Sequence, residues 1–227
     1  MIASPSDRRN EGAAMTRTTA LLRVAVVGAC VLALSGCISL LPKTKASQLY
    51  RFGQATNAGA SSPMVPGQVG VLRAGGLFQR EAAGDRILTV TDGKVAYIAE
   101  TRWVAPAAVL WDEAVLAAFD ADPGPVRLVS RGEPASVAYV LRLDVRNFEA
   151  RYDHGAKAAP TVVVRVRGAI TLGVDRSTVA ERIFEKQVTA SDNRVGAIVP
   201  AYDRAVAEVL KEIVAWTTEQ SKAQPKA

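Results

Sequence analysis

Cys37 is the residue of this chain whose position most clearly predicts a chemical modification. It closes the tetrapeptide Leu34-Ser35-Gly36-Cys37, which follows the apolar run 24–34. Basic residues before a short apolar core, with small residues at its end, form a bacterial secretory signal. A cysteine directly after the cleavage site is typical of lipoproteins, because its thiol takes up a diacylglyceryl group. We therefore expect cleavage between Gly36 and Cys37 and lipidation of Cys37.

The apolar run before Cys37 is too short for a membrane-spanning helix. It contains eleven residues, whereas a span needs about 20. A single-pass anchor or a buried helix are the alternatives. Met15 offers a second start for the leader, which would leave residues 1–14 untranslated.

Composition favours one exported domain without disulfides. Cleavage would shorten the chain from 227 to 191 residues, which is enough for one core. The whole sequence has 28 Lys and Arg against 22 Asp and Glu, a formal net charge of +6. These charges are scattered, so no nucleic-acid partner is expected. Of the two cysteines, Cys30 lies in the leader, so the mature chain would have neither a disulfide nor a free thiol.

The mature sequence contains no familiar catalytic motif. It lacks the Gly-x-x-x-x-Gly-Lys-Ser/Thr phosphate loop, the Gly-x-Ser-x-Gly elbow and the His-Glu-x-x-His zinc motif. Its single histidine, His154, lies in a polar segment that resembles a loop tip. Asp112 and Glu113 are adjacent on a predicted helix and would point about 100° apart, which argues against a shared acid–base role. We predict no catalytic residues, no metal site and no cofactor.

Four arginines are the candidate binding residues. Arg142 and Arg146 alternate along one predicted strand, and Arg165 and Arg167 along the next. Alternate residues of a strand share a face, so hairpin pairing would gather all four guanidinium groups on the uncovered face of the sheet. Such a face suits an acidic partner or anionic lipid headgroups. The alternative is an ordinary solvated face on which carboxylates of neighbouring strands balance the arginines: Asp144, Glu181 and Glu185.

Hydrophobic periodicity predicts the elements that position these residues. Period-two or β-rich patterns mark strands at 49–52, 86–91, 94–100, 126–130, 139–148, 162–172 and 183–190. Helical spacing marks two segments, 105–119 and 202–216, with Pro200 as a boundary residue before the second. Asp92-Gly93 favours a two-residue hairpin turn. The expected fold is α+β, a single antiparallel sheet with two main helices packed on one face.

One compositional zone follows the leader, without internal repeats. The expected organisation is a leader at 1–36, a lipidated tether at 37–47, one domain at 48–218 and a polar tail at 219–227. Residues 53–67 are rich in Gly, Ala and Ser and predict a loop or linker. Trp103 and Trp111 flank the start of the first helix, where large aromatic side chains are more often core than ligand platforms.

The order of four local motifs resembles a known family. Behind the lipoprotein signal come a short strand, a Trp-x-x-Pro helix start, a Tyr-x-Leu-x-Leu strand that ends in Phe, and a closing amphipathic helix: 49–52, 103–106, 139–148 and 213–216. In this order the motifs resemble the ABC-type transport auxiliary lipoprotein family. The resemblance extends from about residue 48 to residue 216.

The resemblance implies an accessory role in lipid transport. Members of the family are expected to work beside an MCE-type phospholipid transport system, which has a permease, an ATPase and MCE-domain proteins. The auxiliary lipoprotein would face the periplasm and dock the MCE component from the inner leaflet of the outer membrane, without catalysis of its own. Ile38 follows the lipidated cysteine where an aspartate often retains lipoproteins at the inner membrane, so its presence favours the outer membrane.

Two other classes of function remain as alternatives. A structural lipoprotein of envelope assembly would share the anchor but have no transport partner. A lipoprotein hydrolase would require convergent polar groups in a pocket.

Overall fold

The computed structural model describes residues 46–53 and 64–222. In this part of the chain, an eight-stranded mixed sheet packs with two helices. The strands are β1 (Gln48–Tyr50), β2 (Val69–Ala74), β3 (Arg86–Thr91), β4 (Lys94–Trp103), β5 (Val126–Val129), β6 (Tyr139–Arg151), β7 (Thr161–Leu172) and β8 (Thr178–Thr189). The helices are α1 (Ala107–Asp120) and α2 (Val195–Lys222). The predicted α+β class is confirmed.

The three longest strands, β6, β7 and β8, pair antiparallel in chain order. Along β6, Leu141 and Val145 point into the core while Arg142 is exposed, as the period-two pattern predicts. β8 begins at Thr178, five residues before the predicted start at 183. Thr178, Glu181 and Arg182 are exposed, as suits an edge strand, and the half-buried Val179 and Ala180 are adjacent, so these five residues show no hydrophobic alternation.

The hairpin between β3 and β4 has the predicted turn. Asp92 and Gly93 both adopt positive φ, at 48° and 74°, which a type I′ turn requires. β3 and β4 pair antiparallel on either side of it. β4 continues three residues beyond the predicted end and closes at Trp103.

The prediction of a purely antiparallel sheet is wrong. β6 pairs antiparallel with β7 on one edge, but its other edge pairs in parallel with β2 near its start and with β3 near its end. β2 also pairs in parallel with β5, and β1 with β4. Parallel neighbours need a long connection that returns the chain to the same end of the sheet. β4, α1 and β5 provide that connection between β3 and β6.

β2 is a strand that the sequence pattern does not predict. The chain after β2 stays beside β6: the Val145 N–H donates to the Leu77 carbonyl at 2.8 Å, and the Gln79 N–H donates to the Val145 carbonyl at 2.9 Å. The second edge of β6 is therefore lined in turn by β2, by residues 77–79 and by β3.

Both helices pack on the same face of the sheet, as predicted. On α2, Trp216 makes an edge contact with Phe184 of β8, with ring centroids 5.3 Å apart. On α1, Asp112 forms an ion pair with Arg73 of β2, and Arg73 is aligned with the inward-facing Leu141. The opposite face of β6 and β7 carries the charged residues.

α2 is longer than the sequence predicts. It begins at Val195, and Pro200 lies inside it instead of before it. Pro200 is the sixth residue of the helix, so its missing N–H costs a single hydrogen bond near the end that already has unpaired donors. The helix continues to Lys222, and the Tyr139 hydroxyl donates to the carbonyl of the buried Ser221 at 3.4 Å. Residues 219–222 of the expected tail thus belong to the packed helix.

An aromatic cluster forms the centre of the core. Phe52, which follows β1, lies with its ring centroid 5.0 Å from Trp103 and 4.9 Å from Phe148. Tyr202 of α2 contacts the same two rings at 5.3 and 4.9 Å. Trp103 and Trp111 are both buried, which confirms their predicted role in packing.

Candidate functional site

The four candidate arginines lie together on the face of the sheet opposite the helices. Antiparallel pairing aligns Arg167 with Asp144, and Arg165 with Asn147. Arg142, Asp144 and the two β7 arginines thus share this face. Strand alternation places Arg146 on it as well, and a bulge between Val145 and Asn147 brings Asn147 opposite Arg165. We call this surface the basic face, defined by four residues: Arg142, Arg146, Arg165 and Arg167.

Asp144 is the centre of the basic face. It is 2% exposed, and its Oδ1 accepts from the Leu77 N–H at 2.9 Å and from Arg142 Nε at 3.0 Å. Its Oδ2 lies 3.8 Å from Arg146 Nη2 and 3.6 Å from Arg167 Nη1. Burial works to raise the pKa of this carboxyl, but the Leu77 N–H and the Arg142 guanidinium together hold it below its usual value.

Two carboxylates of β8 complete the charge balance of the basic face. Arg165 Nε lies 3.4 Å from a Glu185 carboxylate oxygen, and Arg167 forms a charge-assisted hydrogen bond with Glu181. These are the neighbouring-strand pairs that the alternative interpretation expects. Four guanidinium groups therefore meet three carboxylates, and one positive charge remains in excess.

The surplus charge lies towards Arg142 and Arg146. Both share the single carboxylate of Asp144, and about half of each side chain is exposed. A guanidinium has five N–H donors, so a partner carboxylate or phosphate can add to these contacts without displacing Asp144.

Sequence reasoning named Asp144 as a balancing carboxylate but missed its burial, and it missed the buried Glu149. Asp144 accepts a hydrogen bond from the Leu77 N–H, and the buried Glu149 accepts one from the Gln79 side-chain amide at 2.8 Å. The Gln79 side chain also accepts from the Phe148 N–H at 2.7 Å. The segment held this way is about 70 residues away in sequence, so no local pattern marks either acid as buried.

A groove lies between α1 and α2. Its volume is about 660 Å³, and its lining is mostly apolar, with alanines on both helices. Asp122, Asp203 and Lys211 are the charged residues of the lining. The Gly53 N–H donates to Asp203 Oδ1 at 2.9 Å. Such a groove suits an apolar segment or ligand and offers no set of converging acids and bases.

The other sequence candidates are dispersed. His154 is exposed in the β6–β7 loop. Asp112 pairs with Arg73 and Glu113 with Arg51, so the two acids have separate partners. In the described part of the chain, no group of three or more His, Cys, Asp or Glu residues is arranged to hold a metal ion. Over the same ranges, no helix is long and apolar enough to cross a membrane.

The sequence matches the model of a known family. The model of the ABC-type transport auxiliary lipoprotein component matches residues 81–214, which include the basic face and both helices as far as residue 214. The chain belongs to this family. The resemblance expected from the four sequence motifs is thereby confirmed. No curated protein matches the sequence.

Two solved structures share the fold of this auxiliary lipoprotein. A DUF330-family protein from Xanthomonas campestris is 22% identical, with a TM-score of 0.61, covering 78% of this chain and 96% of its own. An uncharacterized protein is 13% identical, with a TM-score of 0.58, covering 76% of this chain and 99% of its own. At these identities the likeness establishes the fold alone.

The predicted lipidation site lies outside the described residues. Gly36 and Cys37 precede residue 46, as do the leader and most of the tether. Lipidation of Cys37 therefore stays a prediction from its sequence motif.

Proposed function

We propose that this protein is a non-catalytic, lipid-anchored accessory subunit of an ABC/MCE-type phospholipid transport system. It docks the MCE component at the periplasmic side, from the inner leaflet of the outer membrane. The observation that carries the proposal is the family match over residues 81–214 in a chain that also has a lipoprotein signal ending at Cys37.

The basic face is the proposed docking surface. The solvent-exposed guanidinium groups of Arg142 and Arg146 share one carboxylate, so they retain unused donors and a local positive charge. An acidic patch on the partner would add charge-assisted hydrogen bonds to a surface that Asp144 already preorganises. Preorganised side chains lose little conformational freedom on binding, which favours affinity.

Anchoring contributes to the mechanism through effective concentration. Each buried CH₂ of the lipid contributes about 0.8 kcal/mol, so several acyl chains hold the domain stably at the membrane. A tethered domain then meets a membrane-bound partner at far higher effective concentration than a soluble one. No turnover by the domain itself is required.

Affinity isolation tests the docking partner. The full-length lipidated protein is recovered from its native membranes, and bound proteins and lipids are identified. We expect an MCE-domain protein with its permease and ATPase. Recovery of envelope-assembly proteins without any MCE component would contradict the proposal and favour a structural lipoprotein.

Charge reversal tests the docking surface. Arg142→Glu combined with Arg165→Glu should reduce capture of the MCE component at least about ten-fold, as expected when two charged contacts become repulsive. Arg142→Lys with Arg165→Lys keeps the charge and controls for general disruption. Arg131→Glu combined with Lys157→Glu, at exposed sites in the β5–β6 and β6–β7 connections, makes the same change in net charge and controls for it. Unchanged capture by the double reversal would exclude this face.

A further inference from the structure

Three exposed apolar side chains lie close together where the described chain begins. Leu49 of β1 is 61% exposed, Val104 is 50% exposed and Val109 is 45% exposed. Leu49 is aligned with Arg102 on the neighbouring strand. The Val104 N–H continues this ladder and donates to the Tyr50 carbonyl at 2.8 Å. Leu49 and Val104 therefore point to the same outer side of the sheet edge.

An ion pair brings the start of α1 to the same place. Arg51 Nη1 lies 3.0 Å from Glu113 Oε2. Arg51 shares a side with Leu49, two residues before it, and Glu113 shares a helix face with Val109, one turn before it. We call Leu49, Val104 and Val109 the β1-edge patch.

The anchor enters the domain beside this patch. Eleven residue steps separate Cys37 from Gln48, the first residue of β1. Such a chain reaches about 40 Å at most. A domain of this size has a radius of gyration of about 16 Å. The tether thus attaches at the β1 edge and keeps that edge within reach of the bilayer.

The opposite edge of the sheet has a different character. The strands run in the order β1, β4, β3, β6, β7 and β8, so β8 lies about 24 Å from β1 at the usual strand spacing. Its exposed residues are mostly polar or charged. The large apolar exceptions are Ile183 within β8 and Val174 in the turn before it, and they lie apart from each other along the strand instead of forming a patch. Apolar exposure therefore favours the β1 edge as the membrane-facing side.

Two arginines at the rim suit a headgroup layer. Arg51 and Arg102 are each paired with a partly exposed carboxylate, of Glu113 and of Asp85. Exposed ion pairs of this kind contribute little stability, so their guanidinium groups can exchange to lipid phosphates. Their methylene stems extend the apolar surface while the charged ends stay in water.

We propose that the β1-edge patch rests on the surface of the bilayer that holds the Cys37 lipid. The proposal depends on the lipidation that the proposed function assumes. It fixes one orientation of the domain, in which β8 lies away from the membrane.

Single cysteines test this orientation, because a lipidated Cys37 leaves the mature chain without any other thiol. Val104→Cys and Ile183→Cys have matched exposure at opposite edges, 50% and 55% in the parent side chains. Each lipidated protein is reconstituted in phosphatidylethanolamine–phosphatidylglycerol vesicles and reacted with a water-soluble maleimide. The reference is the same cysteine in a mature Cys37→Ala chain without vesicles.

We expect vesicles to slow labelling at Val104→Cys about ten-fold, the effect of burying one valine-sized side chain. Leu49→Cys and Val109→Cys should behave alike, whereas Ile183→Cys should keep its rate. An equal change in labelling rate at Val104→Cys and Ile183→Cys on addition of vesicles would overturn the proposal. So would protection of Val104→Cys by the isolated MCE component without vesicles, since that would make the patch a protein contact.

The same samples separate failure of this inference from failure of the proposed function. If the MCE component is not captured but Val104→Cys is protected on vesicles, the docking role fails and the orientation stands. If capture succeeds and both edges label equally, the orientation fails and docking stands. A mature chain whose mass lacks the lipid would overturn the anchor and, with it, both.

Discussion

At the residue scale, Gly76 shows how closely the chain passes β6. A Cβ at this position would lie 1.7 Å from the Leu143 carbonyl oxygen, which belongs to the backbone of β6 and cannot rotate away. Gly76→Ala should therefore lower the free energy of unfolding by about 1–3 kcal/mol, as overpacked sites do. Urea denaturation of the mature chain measures this loss.

Gly75→Ala is the matched control for Gly76→Ala. A Cβ at Gly75 meets no heavy atom within 4 Å, so its effect should stay within about 0.5 kcal/mol. An equal loss at both positions would show that the close approach to β6 is not the cause.

Asp144 links the stability of the basic face to pH. The Leu77 N–H and the Arg142 guanidinium outweigh burial and keep its folded pKa below the usual value, so the folded state binds fewer protons than the unfolded chain. The contribution is complete above the unfolded value, near 3.9, and is lost as the pH falls through the folded pKa. Asp144→Asn should lower Tm at neutral pH and weaken its dependence on pH below about 4.

Thermal unfolding of both proteins between neutral and acidic pH checks this prediction. The asparagine keeps the shape and one acceptor for the Leu77 N–H, whereas the charge is lost and an NH₂ group replaces the oxygen that faces Arg146 and Arg167. A variant whose Tm falls with acid as steeply as that of the parent would contradict the role given to the carboxylate.

At the scale of elements, Phe52 fixes the β1 segment to the core. Its ring contacts Trp103 and Phe148, and its side chain is almost completely buried. Phe52→Ala should cost about 3–5 kcal/mol, the usual range for a buried phenylalanine. Leu49→Ala, three residues earlier and largely exposed, should cost less than about 0.5 kcal/mol. If the two variants had the same denaturant midpoint, the attachment of the β1 segment to the core by Phe52 would be contradicted.

The long elements could be predicted because their signals are local. β6 and β7 alternate over a dozen residues, which also placed Arg142 and Arg165 on one face, and Asp92-Gly93 specified the hairpin turn. α1 and the central part of α2 followed from helical periodicity.

The missed features depend on contacts far apart in sequence. β2 is short, and its Gly70 would place a Cβ 2.0 Å from the Ser136 carbonyl oxygen, so the glycine reflects a neighbour that no local pattern reveals. The alternation of apolar and polar residues is the same in parallel and antiparallel strands, so it does not reveal the parallel pairings. Those pairings follow from the path of the connections. Asp144 looks like a surface acid until Leu77 covers it.

At the scale of the whole molecule, the two faces of the sheet differ in what they contact. One face is covered by α1 and α2 and supplies the hydrophobic core. The other presents ion-paired arginines, proposed to dock a partner, and the β1 edge carries the exposed apolar side chains where the tether attaches. The proposed anchor at one edge and the proposed docking surface on one face are consistent with the proposed role of an accessory subunit that positions other components.

Cys37→Ala tests the central claim most directly, because it removes the predicted lipid attachment site without touching residues 46–222. We measure the membrane-bound fraction of the full-length protein together with phospholipid transport in cells that depend on it. We expect a folded protein that is released from the membrane and no longer supports transport. A released protein that still supports full transport would contradict the role of the anchor in the mechanism.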